Sequence, residues 1–110
     1  MAGWYELSSS SDGQFRFVLK AGTGDTLLTS ELYKTRSAAE NGIASVQVNS
    51  VLDERFERKT ATNGRAFFNL KAANHQIIGT SQMYATEAAR EAEISSVKVD
   101  GSSQTVKENV

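Results

Sequence analysis

The chain of 110 residues is one domain's worth, or two very small units sharing a core. With no cysteine and one histidine it excludes disulfides, zinc–thiolate sites, iron–sulfur clusters, cysteine nucleophiles and every two-histidine mechanism. Lys plus Arg number 12 and Asp plus Glu 13, and that net charge of −1 argues against a dedicated nucleic-acid binder and against a polybasic membrane anchor.

In chain order, Met1-Ala2-Gly3-Trp4-Tyr5-Glu6 has no basic region and no apolar stretch, so a cytoplasmic location is expected. Apolar runs such as Val18-Leu19 are far shorter than the about 20 residues a membrane span needs. Trp4 to Leu7 is a first strand. Asp12-Gly13 closes the loop after it, because this dipeptide tolerates positive φ. Phe15, Phe17 and Leu19 then alternate with Arg16, Val18 and Lys20, the period of a strand with one apolar face. A turn over Ala21 to Asp25 leads to a third strand, Thr26 to Ser30. Thr35 suits a helix N-cap, and Ala38, Ala39, Ile43 and Val46 follow at helical spacing. Ser45-Val46-Gln47-Val48 reads as a fourth strand, and the unit is then β-β-β-α-β.

The same unit occurs again. Sliding the sequence by 51 positions lays residues 5–49 over 56–100, with identical pairs that include Gly13/Gly64, Phe17/Phe68, Leu19/Leu70, Lys20/Lys71, Tyr33/Tyr84, Thr35/Thr86, Glu40/Glu91 and Ile43/Ile94. The second copy predicts strands over Ala66–Lys71 and Ile77–Ser81. Its helix is expected to bury Ala88, Ala89, Ala92 and Val97 together with Ile94, and Ser96 to Val99 to form its last strand. The two repeats are framed as residues 1–50 and 51–100 of one compact domain. Ser50 to Arg55 lacks Gly and Pro and is expected to be an ordered connection. Residues 101–110 have almost no apolar content and are expected to form a disordered tail. A unit of about 50 residues is marginal alone, so the two are expected to pair around a pseudo-two-fold axis.

The pattern Phe15-Arg16-Phe17-Val18-Leu19-Lys20-Ala21-Gly22, then Leu28-Thr29-Ser30-Glu31-Leu32-Tyr33, then Ala39-Glu40-Asn41-Gly42-Ile43-Ala44-Ser45-Val46 resembles the YegP-like family of small bacterial proteins. The resemblance covers about residues 4–100, in both copies. It implies an α+β fold: one antiparallel-rich sheet with helices on one face and the last strand of each unit exchanged. It implies no activity, no cofactor and no catalytic residue. Copy two departs from the pattern at Glu93, which stands where copy one has Gly42. Glu is the better helix former, which predicts a second helix that runs longer or ends differently.

Little in the chain carries chemistry. Gly22-Thr23-Gly24 lies between two strands and reads as a hairpin turn, not a phosphate loop. His75 falls in the equivalent turn with no nucleophile or carboxylate set beside it by a motif, and reads as an exposed turn residue. Tyr33 and Tyr84 read as packing at the helix entries, and Glu40 and Glu91 as solvent-facing helix residues. No metal ligand set is found.

The outer sheet face is the surface of interest. Trp4, Arg16, Val18, Lys20, Phe67, Asn69 and Lys71 alternate with the core residues and meet water if helices cover one face only. The expected function is a protein or peptide interaction module acting through this face. The alternatives are weak single-stranded nucleic-acid binding through Arg16, Lys20, Phe67 and Lys71, which the charge balance disfavours, an enzyme with a deep cleft between the units, or a purely structural role. A monomer is expected, with no membrane partner.

Overall fold

A computed structural model describes residues 3–109; Met1, Ala2 and Val110, at the ends of the first repeat and of the expected tail, lie outside the described residues. The chain runs β1 (Trp4–Ser9), β2 (Phe15–Lys20), β3 (Thr26–Ser30), α1 (Arg36–Asn49), β4 (Phe56–Thr60), β5 (Ala66–Lys71), β6 (Ile77–Thr80), α2 (Glu87–Asp100) and β7 (Val106–Asn109), with a 3-10 turn at Asp53–Arg55. The strands form one sheet in the order β4-β5-β6-β3-β2-β1-β7. All neighbours are antiparallel except β1 and β7, which run parallel.

Local chemistry places most of these elements. The hairpin glycines adopt the left-handed conformation, with φ of 82° at Gly13 and 83° at Gly64. Asp12 and Asn63 brace those turns by accepting from the backbone N–H two residues on, at 3.2 and 3.1 Å. Thr35 and Thr86 cap the helices, accepting from Ala38 and Ala89 N–H at 3.0 and 3.1 Å. Tyr5, Leu7, Phe17, Leu19, Phe68 and Leu70 point from the strands into one core shared with Ala39, Ile43, Val46, Ile94 and Val97 of the helices. Both helices therefore lie on the same face of the sheet. The halves meet where β3 pairs with β6, Thr29 opposite Thr80.

Several expectations are corrected. The fourth strands at Ser45–Val48 and Ser96–Val99 are the last turns of α1 and α2. Val46 and Val97 complete the buried helical stripe, and that packing outweighs the strand preference of β-branched residues. The strands that follow the helices are β4 and β7: β4 pairs with β5 inside the second repeat as framed at residue 51, and β7, from the expected tail, crosses to β1 of the first repeat. Exchange between the repeats so framed is therefore made by β7, not by Ser45–Val48 or Ser96–Val99. Residues 101–109 are not a disordered tail. Tyr5 N–H donates to the Thr105 carbonyl at 2.9 Å and Tyr5 Oη donates to the Gly101 carbonyl at 2.5 Å, which anchor the segment so that polar β7 pairs through its backbone. In α2, Ala88, Ala89 and Ala92 are exposed. The buried stripe is Arg90, Ile94 and Val97, with Arg90 where α1 has Ala39. Its guanidinium donates to the Lys59 carbonyl and to Glu87 and Glu91, so a long charged side chain fills a position that apolarity alone assigns to alanine.

The connection Ser50 to Arg55 is ordered as expected, with Arg55 Nε donating to Asn49 Oδ1 at 2.9 Å. Glu93 does not lengthen its helix: α1 and α2 each have 14 residues at equivalent positions.

Candidate interaction face

One row of the sheet crosses all seven strands on the side away from the helices. By register it reads Glu57, Asn69, Thr80, Thr29, Val18, Glu6 and Lys107. Trp4 and Lys20 pair in the flanking row on β1 and β2, Arg16 lies opposite Ser8, and Phe67 lies opposite Lys59. The structure therefore gathers all seven expected residues on one face. Among the described elements none is left to cover it, because both helices belong to the core on the other side.

The seven are not equally available. Asn69 is buried at 7% exposure, donating to Glu57 Oε1 at 3.0 Å and accepting from Thr80 Oγ1 at 2.8 Å. Lys71 Nζ donates to Glu57 Oε2 at 2.8 Å. That bond, then the Asn69 amide, holds the Glu57 carboxyl below its ordinary range. The Trp4 indole N–H donates to Glu6 Oε2 at 2.8 Å, and Lys107 Nζ stands 4.2 Å from the centre of its ring. Val18 and Phe67 are half-buried, Arg16 is exposed, and Lys59 beside Phe67 is exposed as well.

Sequence reasoning missed Glu6, Glu57, Lys59 and Lys107. Glu6 and Glu57 match under the same shift of 51, so that signal was present. Lys107 reaches the face only because β7 joins the sheet. Together the face carries Arg16, Lys20, Lys59, Lys71 and Lys107 against Glu6 and Glu57, an excess of positive charge on a chain whose net charge is −1. The two aromatic rings do not form one platform. Trp4 on β1 and Phe67 on β5 are separated by β2, β3 and β6, about 19 Å at ordinary strand spacing.

The residues considered for catalysis are dispersed. His75 is exposed at a φ of 68° in the turn where Gly24 stands in the first half. Glu91 pairs with Arg58 at 2.8 Å and Glu40 with Arg36 at 3.6 Å. Tyr33 stacks on Phe17 with ring centres 6.2 Å apart, a packing role at the helix entry. Among the described residues no helix is long and apolar enough to cross a membrane.

The family model described as a domain of unknown function, DUF1508, matches residues 10–57 and again 61–108. The first match starts after β1 and ends two residues into β4, and the second starts after β4 and runs into β7, so the family unit starts about ten residues later than a cut at residue 50 places it. The chain is 70% identical over 109 residues to the UPF0339 protein YegP of Escherichia coli O6:H1, covering 99% of both chains. It is 58% identical over 108 residues to a UPF0339 protein of Shewanella oneidensis, covering 98% of each. The solution NMR structure of yegP from E. coli, a protein of unknown function, superposes with a TM-score of 0.94 at 69% identity, over 99% of this chain and 94% of that one. That of the UPF0339 protein SO3888 from Shewanella oneidensis gives 0.93 at 58% identity, over 98% and 92%.

Proposed function

For a chain that belongs to the DUF1508 family, with that domain present twice in tandem, we propose a non-catalytic interaction module that docks an acidic protein surface on the open sheet face. The observation that carries this reading is the composition of the face: Phe67 and Val18 as apolar contacts, and exposed Arg16 and Lys59 with Lys20 as the surrounding positive charge. Aromatic and aliphatic anchors within a polar, charged rim are the ordinary make-up of a docking patch, and on this face positive charge outnumbers the carboxylates of Glu6 and Glu57. Sheet-edge recognition is disfavoured, because the edge strands β4 and β7 are short and carry Glu57, Arg58 and Lys59, and Lys107 and Glu108. Single-stranded nucleic acid is the weaker reading. Lys71 is already neutralised by Glu57, and rings about 19 Å apart cannot stack adjacent bases.

The test is capture from a nuclease-treated native lysate with the wild-type chain and with Phe67→Ala, followed by titration of the purified captured protein. The expected result is saturable binding to an acidic protein that weakens at least about tenfold in Phe67→Ala and moderately with salt. Binding indifferent to Phe67→Ala and to Arg16→Glu, or lost with nuclease treatment, overturns it.

A further inference from the structure

The duplication gives each half the same recess, walled by the helix-entry tyrosine, the first turns of the helix and the strand turn of the opposite half. The two recesses have diverged. In the first, Tyr33, Asn41 and Ser45 face Asn74, Gln76 and Ile77 around a cleft of about 440 Å3. In the second, Tyr84 and Glu93 face Asp25 and Thr26, and about 160 Å3 remains.

Among the lining positions that differ, Gly42 and Glu93 differ most in side-chain bulk. At Gly42 a Cβ would stand 2.6 Å from Tyr33 Oη and 2.9 Å from the Phe17 ring, so the tyrosine lies against bare helix backbone. At the equivalent position Glu93 puts a side chain into the recess. Burial, and then Asp25, raises its carboxyl above the ordinary range, while burial and then Glu93 push Tyr84 up to about 12. The second recess is smaller and acidic, and the first is larger and lined mainly by neutral groups.

We propose that the larger cleft is a binding site for a small ligand without negative charge that bears hydroxyl and amide groups, the chemistry of an N-acylated sugar. No Lys, Arg or His lines it, so an anion meets no counter-charge, and the one charged lining group, Glu31, repels anions. Its polar groups are the donors and acceptors that hydroxyls and amides pair with. Asn74 Oδ1 accepts from Gln76 N–H at 3.1 Å, which leaves the Asn74 NH2 to donate outward. Ser45 Oγ accepts from Asn49 Nδ2 at 3.2 Å, which leaves its own O–H to donate. Ala38, Ala72 and Ile77 supply the apolar wall that a sugar face or an acyl methyl requires. The volume falls in the range of small-ligand sites. The cleft lies on the helix side, apart from the open sheet face, and Phe67→Ala leaves it intact.

The test is backbone amide NMR of the full chain titrated with N-acetylglucosamine to about 50 mM, and in parallel with its β-1,4 trimer and with glucose 6-phosphate. Saturable shifts confined to Tyr33, Asn41, Ser45, Asn74, Gln76 and their neighbours are expected, with the phosphorylated sugar at least about tenfold weaker. A trimer that binds more tightly than the monomer indicates a site for a chain end, and equal affinity one for the free sugar. Tyr33→Phe and Asn74→Ala should each weaken binding at least about fivefold with unfolding temperature unchanged, whereas Gly42→Glu is too crowded to serve as the sole control. No saturable shift with either neutral sugar, shifts elsewhere, equal binding in both variants, or tighter binding of the phosphate overturns the site.

Discussion

Ser50 and Gly101 are equivalent under the duplication, and they meet. A Cβ at Gly101 would collide with the Ser50 side chain, although its backbone has an ordinary helical φ of −62°. Glycine stands at 101 for space, not for conformational freedom. Leu28 and Gly79 repeat the arrangement: a Cβ at Gly79 would come within 2.8 Å of Leu28 Cγ. Equivalent positions face each other across a pseudo-two-fold axis, so identical side chains would compete for one volume, and a tandem chain escapes by giving one copy no side chain. Ser50 Oγ is buried without a hydrogen-bond partner, so the serine adds no stability through its hydroxyl. Gly101→Ser is therefore expected to cost about 2–4 kcal/mol in urea unfolding. Ser50→Gly alone should be near neutral, and the double variant should recover most of the loss; additive costs would show that the two positions do not share the volume.

At the scale of the element, the edges of the sheet are governed by inward-pointing charge. On β4, Arg58 turns to the helix side and pairs with Glu91 of α2 at 2.8 Å and with Asp53 at 2.9 Å. On β7, Glu108 turns the same way and pairs with Arg36 of α1. The two edges use the same device with the signs reversed, and both discourage edge-to-edge association. β7 itself has few apolar groups to bury, and its contribution is the ladder it forms on β1. A chain ended at Thr105 should fold with a loss of about 1–3 kcal/mol. Truncation leaves the Tyr5 N–H to Thr105 bond without the ladder beyond it, so amide exchange at Tyr5 should speed up while exchange at Phe68, on β5, stays slow at matched stability. Unchanged exchange at Tyr5 would show that β7 does not protect β1.

The whole molecule responds to pH through two opposed sets of carboxyls. Lys98 and then Arg58 hold Asp53 down to about 2, and Glu57 is held below its ordinary range by Lys71 and Asn69. Groups depressed in the folded state stabilise it above the ordinary carboxylate range, and that stability is lost as pH falls toward about 2. Glu93 is raised in the folded state, so its contribution is present below the ordinary range and is lost as pH rises through its elevated value. Glu93→Gln should accordingly match the wild-type Tm at pH 3 and exceed it by about a few degrees at pH 7. A gain of equal size at both pH values would assign the effect to packing and not to charge.

The duplicated pattern, the alternation of Phe15, Phe17 and Leu19, the Asp12-Gly13 and Asn63-Gly64 turns and the Thr35 and Thr86 caps are local or periodic signals. They determined the fold class, the two helices, six of the strands and the seven residues of the outer face. What local pattern could not convey is which element a stretch joins. Val46-Gln47-Val48 alternates like a strand and is helix, because Val46 is wanted in the buried stripe. Residues 106–109 carry almost no hydrophobic pattern and are a strand, because β1 offers an unpaired row of backbone groups. Arg90 occupies a core position, Lys71 is tied to Glu57, and Glu93 lines a recess with Asp25, each through partners far away in the chain. Sequence periodicity reports how much of a segment is buried, whereas pairing, charge compensation and cavity shape depend on neighbours that only the assembled sheet brings together.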